Sequence, residues 1–273
     1  MGRDFPTNEF RQGLQTFQGW IHESLVHRWV TVLVACFAVQ TALEVLGWLM
    51  DVNLEEALLS YVALPAWGNG EIWPFWTLLS YGFLHYGVMH LVLNSVMLYF
   101  AGHMLKTFWT DLQVSRLFVV GILAGGLAFL TLSTWNPEWK PLMGASAGVL
   151  AVLLAATRMS PSMPVYVLGV FKVPLWAISG LLIFFSVAGL SGPNGGGQVA
   201  HLGGAMIGWL LGRSPQTLTA IRRTMPRRAG RSPLRVVRDE PLELDAILEK
   251  ISRVGYAKLT PAEKEFLTRY GQK

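Results

Sequence analysis

Long apolar runs constrain this 273-residue chain more than any other feature of its sequence. A helix needs roughly 20 apolar residues to cross about 30 Å of hydrocarbon, and the chain is 52% hydrophobic and only 14% charged. Candidate spans lie near residues 30–50, 86–105, 117–134, 146–157, 173–190 and 201–212. The pattern predicts an all-α membrane protein with a bundle of six transmembrane helices, the fourth and sixth of them short.

Basic residues alternate with these runs and predict the orientation of the chain. Lys and Arg precede the first run, recur in the 104–116 and 158–172 loops and follow the last run, whereas the 51–84 loop has none. Because Lys and Arg favour the cytoplasmic side, both termini are predicted to be cytoplasmic. Only Lys140 departs from this order. The first 28 residues lack the apolar core of a signal peptide, so the first run is predicted to be an uncleaved anchor.

Composition divides the chain into four segments. Seven arginines and no acid occupy 214–238, which is typical of a flexible linker that can lie on anionic lipid. Beyond it, Gly255 and a capping box at Thr260 and Glu263 indicate two short helices. The predicted segments are a cytoplasmic N-terminal segment (1–28), the membrane domain (29–213), the basic linker (214–238) and a small helical cytoplasmic tail (239–273).

Polar residues interrupt three of the apolar runs, and ionisable groups at membrane depth suggest function. They are His85, His90 and Asn94 in "HYGVMHLVLN", Ser146 in "GASAG" and His201 in "AHLGGAMIG". Asn94, Ser146 and His201 each lie twelve residues before the basic residue that marks the inner end of the span. At about 1.5 Å per residue the three side chains would share one layer, roughly 18 Å above the cytoplasmic boundary.

Small residues can bring the helices of this layer together. Gly204 begins a GxxxGxxxG pattern on the last span, and Gly144 and Gly148 bracket the serine. Because small residues allow helix backbones to approach closely, a hydrogen bond between Ser146 and His201 is predicted. His90 and Asn94 are four residues apart and share a helical face, so they could donate hydrogen bonds to a developing oxyanion.

Other interpretations of these residues stay open at this point. Ser146 could be a packing residue bonded to its own helix, and the glycines could serve helix dimerisation alone. The histidines that could bind a metal are His85, His90, His103 and His201. Their spacing and the absence of a carboxylate partner do not favour a metal site, so no metal and no cofactor is predicted. The polar layer stops halfway, which argues against a transporter or channel. Nucleic acid is not a predicted partner.

Residues 76–213 resemble the rhomboid intramembrane serine proteases. The resemblance rests on four motifs in order: "WTLLSYGFLH", "HYGVMHLVLN", "GASAG" and "AHLGGAMIG". It implies a six-helix bundle with a catalytic dyad of Ser146 and His201, an oxyanion hole of His90, Asn94 and the Ser146 N–H, and His85 as a structural neighbour. Two positions differ from the usual family pattern, since Ala147 replaces a glycine and Leu150 replaces a tyrosine.

The resemblance also carries expectations about function. It implies cleavage of single-span membrane proteins within their transmembrane segment, near the outer face of the bilayer, without a cofactor. The tail resembles those of some bacterial rhomboids, which suggests a bacterial inner membrane. The alternative is a catalytically weak or silent rhomboid-like protein that binds membrane clients. The oligomeric state, the natural substrate and the role of the tail are not predicted.

Overall fold

The computed structural model describes residues 7–67, 74–167, 169–213 and 240–270, which are helical for most of their length. The described residues belong to two compact units divided between Met225 and Pro226. The predicted basic linker, 214–238, lies outside the described residues. The helices of the first unit are α1 (Thr7–Glu23), α2 (Leu25–Met50), α3 (Leu54–Val62), α4 (Thr77–Ser80), α5 (Val88–Lys106), α6 (Asp111–Ser133), α7 (Ser146–Met159), α8 (Leu175–Ala188) and α9 (Gly195–Leu211).

Each of the six predicted apolar runs coincides with a helix. These helices are α2, α5, α6, α7, α8 and α9, and the short α3 and α4 lie between α2 and α5 in the sequence. By length and composition, α2, α5 and α6 can cross a membrane, while α7 and α8 are shorter apolar helices. α2 begins before the predicted segment boundary at residues 28 and 29, because Ser24 caps it. The carboxylate of Asp111, at the start of α6, accepts hydrogen bonds from the Ser24 hydroxyl and the Leu25 N–H.

The centre of the first unit is a seam of small residues between α7 and α9. A methyl group on Gly204, Gly208 or Gly212 of α9 would collide with Ala147, Ala151 or Ala155 of α7, in each case 57 residues earlier. Such contacts require the two backbones to touch. The constant offset shows that α7 and α9 run parallel and stay in register over about two turns.

α6 closes this seam from a third side. A methyl group on Gly121 would lie 2.5 Å from the Ala151 Cβ, and one on Gly125 would lie 2.8 Å from the Ala200 carbonyl oxygen. α6 therefore touches α7 and α9 with little side-chain volume between them. Interiors of this kind gain stability from dense van der Waals contact, because lipid provides no hydrophobic drive for helix association.

The far end of the seam is closed by one basic residue. Arg158, at the end of α7, donates a hydrogen bond of 2.6 Å to the Trp209 carbonyl and lies 4.7 Å from the centroid of the Trp209 ring. This pair joins α7 and α9 at the end opposite Ser146. Arg158 is the basic residue that was predicted to mark the inner end of this span, and in the structure it also joins the two helices.

A short hairpin, where the sequence predicts only a loop, follows α7. β1 (Pro164–Val167) pairs antiparallel with β2 (Phe171–Pro174), and Gly169 has a φ of 72°. β-branched and aromatic residues flanking a glycine are the usual signal for such a hairpin. Backbone hydrogen bonds from Leu175 to Met163 and from Trp176 to Pro161 fix the hairpin to the start of α8.

The second unit contains the two helices expected of the tail, α10 (Glu240–Val254) and α11 (Pro261–Tyr270). Gly255 has a φ of 81° and follows α10 directly. The predicted capping box is present, since Thr260 and Glu263 exchange hydrogen bonds at the start of α11. Lys250 of α10 lies 2.7 Å from the Glu263 carboxylate and connects the two helices.

We expect Gly208→Ala to destabilise the first unit by about 1–3 kcal/mol, because the added methyl would push α9 away from the Ala151 backbone. The measurement is thermal unfolding of the purified protein in detergent. Gly180→Ala on α8 is the matched control, because a methyl there meets nothing within 4 Å. Equal stability of the two variants would contradict the close-packed seam.

The tail should lose stability at acidic pH. Lys250, followed by the N–H and hydroxyl of Thr260, lowers the pKa of Glu263 to about 2. A lowered pKa stabilises the folded unit above the ordinary glutamate value, and this contribution is lost as the pH falls towards 2. Glu263→Gln should therefore reduce hydrogen-exchange protection of α11 at neutral pH in the full chain. Glu265→Gln, which removes only an exposed pair with Arg269, should leave that protection unchanged.

Candidate active site

The loop that leads into Ser146 is held by backbone contacts with two earlier segments of the chain. The Gly144 N–H donates to the Tyr81 carbonyl over 3.0 Å, and Leu142 forms an antiparallel bridge with Leu64. The Tyr81 hydroxyl in turn donates to the Ile122 carbonyl of α6. The fully buried Tyr81 ring therefore ties this loop to α6. Ser146 follows the loop as the first residue of α7.

The start of α7 leaves backbone donors free. The first N–H groups of a helix have no partner within the helix, and Ala145 at the N-cap position provides no side-chain hydrogen bond. The helix dipole adds a partial positive charge at this end. The Ser146 N–H therefore has the environment expected of a donor to a negatively charged oxygen.

Gly144 allows a histidine to approach this loop. Its φ of 121° lies in the region that favours glycine. A methyl group on Gly144 would lie 2.6 Å from Cε1 and 2.9 Å from Nε2 of His90. His90 Nδ1 is 3.4 Å from the Tyr86 N–H, which can donate to it. A neutral imidazole that accepts at Nδ1 carries its proton at Nε2, so the side of His90 near the loop would be a donor.

His201 lies on α9, close to the level of Ser146. In the register of the seam Ser146 is opposite Gly203, which is two residues, or roughly 3 Å along the helix, from His201. The His201 ring is half-buried, and its Nδ1 lies 3.3 Å from the hydroxyl oxygen of Ser186 on α8. α8 therefore holds this imidazole by a hydrogen bond, and α7 lies beside α9 at nearly the same level.

Asn94 and His85 flank His90. Asn94 is buried, and its side-chain amide donates to the His90 carbonyl over 2.9 Å. His85 is fully buried just before α5, and its ring lies edge-on to the His90 ring with centroids 5.1 Å apart. Among the described residues, neither ring nitrogen of His85 has a hydrogen-bond partner.

Two cavities, of about 210 Å³ and 280 Å³, share His90, Ser146 and His201 in their walls. The smaller one is bordered mainly by the loops that precede α7 and α9, including Lys140 and Asn194. The larger one continues between the helices, where Asn94, Ser186 and Gln198 supply further polar groups, in a wall otherwise formed by apolar side chains. Serine, imidazole and amide groups thus border two cavities that share three wall residues.

The structure brings together the residues that the sequence singled out, with one difference. Within the described part of the chain, no hydrogen bond joins Ser146 to His201, and the imidazole pairs with Ser186 instead. Catalytic hydrogen bonds are often long before substrate binds. A nucleophile beside a base, next to free N–H groups, is an arrangement suited to acyl transfer.

Three polar residues near the site were not predicted from the sequence. Gln40 of α2 exchanges two hydrogen bonds with the His85 backbone. Tyr86 donates its backbone N–H to His90 Nδ1 and its hydroxyl to the Pro141 carbonyl. The third is Ser186. Gln40 had a usable signal, since an amide in the middle of an apolar span needs a partner. Ser186 had none, because serines in such spans usually bond to their own helix.

Comparison with known proteins identifies the fold. The Rhomboid domain family matches residues 73–214, just over half of the chain. The chain belongs to the rhomboid family. Residues 238–273 match a family of unknown function, DUF6576. As expected of the rhomboid family, the protein is a multi-pass membrane protein.

Two relatives show how far this similarity extends. The chain is 35% identical to mouse Rhomboid-related protein 2 over 104 residues, which are 38% of this chain and 31% of that protein. It is 25% identical to Rhomboid protease GlpG of Yersinia pestis (strain Pestoides F) over 192 residues, 67% of this chain and 60% of that protein. The chain thus matches about a third to three-fifths of the length of these rhomboid relatives.

The two departures from the usual rhomboid pattern have different surroundings. The Ala147 methyl faces Gly125 on α6, and because Gly125 has no side chain, the methyl group fits between the two helices. Leu150 is buried and lines the larger cavity together with His201. An aliphatic side chain at this position cannot hold an imidazole by a hydrogen bond.

Gly144→Ala should slow the reaction of Ser146 with a fluorophosphonate by about 10-fold or more, because the methyl would displace the His90 ring. Backbone strain at positive φ adds about 1–2 kcal/mol. Gly169→Ala separates the two effects, since that residue has a positive φ but no atom within 4 Å of the added methyl. An equal labelling rate in both variants would show that the contact with His90 does not matter.

Proposed function

We propose that this protein is an intramembrane serine endopeptidase in which Ser146 is the nucleophile and His201 the general base. The observation that carries the proposal is that Ser146 and His201, from different helices, border the same cavities beside His90. The family supports it, because one relative, GlpG of Yersinia pestis, is a rhomboid protease by name. The proposed fold has six transmembrane helices formed by the six apolar runs.

The proposed reaction is acyl transfer in two stages. His201 takes the hydroxyl proton of Ser146 as its oxygen attacks a substrate carbonyl carbon. The carbon–nitrogen bond then breaks, and the protonated His201 gives its proton to the leaving amine. In the second stage a water molecule attacks the acyl-enzyme, His201 accepts the water proton and returns it to Ser146, and the new carboxyl end is released.

The negative charge that develops on the carbonyl oxygen needs donors. The Ser146 N–H at the start of α7 is one, and His90 Nε2 beside Gly144 is a second. Asn94 is a third, because its amide has another N–H besides the one given to the His90 carbonyl. Loss of one such donor typically costs about 100- to 1,000-fold in rate. His85 is assigned a supporting role behind His90.

The proposed setting is a bacterial inner membrane, with both termini and the tail (239–273) in the cytoplasm. The membrane domain (29–213) would then present the loops before α7 and α9 to the outer face, and the smaller cavity would admit water there. The basic linker (214–238) would lie against anionic lipid. This orientation follows from the distribution of Lys and Arg.

The proposed substrates are single-span membrane proteins cut near the outer end of their transmembrane segment. A helix hides its backbone in internal hydrogen bonds, so the scissile peptide must unwind before Ser146 can reach it. Residues that weaken a helix near that end should therefore favour cleavage. Neither a metal nor a cofactor has a role in this reaction.

The test is cleavage of a single-span substrate by the purified protein in detergent. We expect Ser146→Ala and His201→Ala each to reduce kcat/KM by roughly 1,000-fold or more. Ser95→Ala is the matched control, because Ser95 is a buried serine on α5 without a hydrogen-bond partner among the described residues. It should leave the rate unchanged.

Two outcomes would count against the proposal. Cleavage that persists in Ser146→Ala would exclude this residue as the nucleophile. Binding of the substrate without cleavage, together with no fluorophosphonate labelling of the wild type, would favour the alternative of a silent client-binding rhomboid.

A further inference from the structure

Ser186 is the one group in the described residues that holds the His201 ring by a hydrogen bond. Its hydroxyl oxygen lies 3.3 Å from His201 Nδ1, and the residue is 2% exposed. It projects from α8, an otherwise strongly apolar helix of sequence LWAISGLLIFFSVA. Around it, the wall of the larger cavity includes Leu182, Phe185 and Leu150, which have no polar atoms in their side chains.

The second serine of α8 shows what an ordinary serine does in this helix. Ser179 is equally buried, and its hydroxyl donates to the Leu175 carbonyl four residues earlier while accepting from Thr157. Ser186 makes no such bond to its own helix within the described residues, and its hydroxyl is directed to the imidazole instead. Because burying a hydroxyl is costly unless it is hydrogen-bonded, the imidazole of His201 is the partner that satisfies Ser186.

We propose that Ser186 is a positioning residue that orients His201 for proton transfer from Ser146. The proposal rests on the proposed function. A neutral imidazole has one N–H and one lone pair, and the partner of one nitrogen decides which nitrogen carries the proton. When the Ser186 oxygen accepts from Nδ1–H, the lone pair of Nε2 is left for the Ser146 proton.

A hydroxyl suits this place better than a carboxylate would. An ionised carboxylate among apolar side chains has a high desolvation cost, whereas a hydroxyl brings no charge. Once His201 has taken the proton, its Nδ1–H becomes a charged donor, and hydrogen bonds to charged groups are stronger than neutral ones. The Ser186 contact therefore strengthens as the reaction proceeds. A hydrogen bond that is stronger in the transition state than in the resting enzyme lowers the activation barrier.

Kinetics of the full-length protein test the proposal through Ser186→Ala and Ser186→Thr. Ser186→Ala should lower kcat about 10- to 100-fold, because a rate loss of this size is expected when a hydrogen bond to a group that becomes charged is removed. KM should stay unchanged, and the rate of fluorophosphonate labelling of Ser146 should fall by the same factor. Ser186→Thr keeps the hydroxyl and should restore most of the rate. Ser179→Ala is the matched control and should retain wild-type kcat.

Several outcomes would overturn the proposal. They are a wild-type kcat in Ser186→Ala, an equal loss of kcat in Ser179→Ala, and a rate in Ser186→Thr as low as in Ser186→Ala. Failure of the proposed function has a different signature, because Ser146→Ala would then cleave as fast as the wild type. Loss of cleavage in Ser146→Ala beside full activity in Ser186→Ala would refute only the role of Ser186.

The protonated nitrogen can also be read without any activity. In protein labelled with ¹⁵N-histidine, the His201 signal is identified by its loss in His201→Gln. We expect the proton at Nδ1 in the wild type and in Ser186→Thr, and a shift towards Nε2 in Ser186→Ala. A proton at Nε2 in the wild type would contradict the proposal even if every variant were inactive.

Discussion

The contact of the α7 and α9 backbones is the constraint on which the rest of the structure depends. Gly204, Gly208 and Gly212 offer no side chains where Ala147, Ala151 and Ala155 approach. Ser146 and His201 extend from the same pair of helices at one end of this seam. Larger residues along the seam would separate the helices, and with them the hydroxyl from the imidazole. The close packing of the helices and the positions of these two side chains are therefore specified by the same two stretches of sequence, α7 and α9.

The polar groups at this end are held chiefly by backbone atoms of other elements. Tyr81 accepts from Gly144, Tyr86 donates to His90, and Gln40 exchanges two hydrogen bonds with the His85 backbone. Backbone partners satisfy buried polar groups without adding charge to an apolar interior. These contacts therefore hold the polar groups at the cavity without a charged side chain as their hydrogen-bond partner.

Periodicity and residue type sufficed to predict the helices that position the site, because apolar runs and glycine spacing are local signals. The twelve-residue intervals placed Asn94, Ser146 and His201 in one layer, and all three border the same cavity. The contacts of Gln40 and Ser186 were not predictable, since each depends on which face of its helix meets a partner distant in sequence. Ser179 and Ser186 look alike in the sequence and have different partners in the fold.

The most direct test of this account is a crystal structure of the protein after reaction with a fluorophosphonate. We expect the phosphonyl group on the Ser146 oxygen, with its own oxygen facing the Ser146 N–H and His90. His201 Nε2 should lie within about 3.2 Å of the Ser146 oxygen, with the glycine seam intact. A reagent bound to another residue, or a His201 ring separated from Ser146 by intervening side chains, would contradict the account.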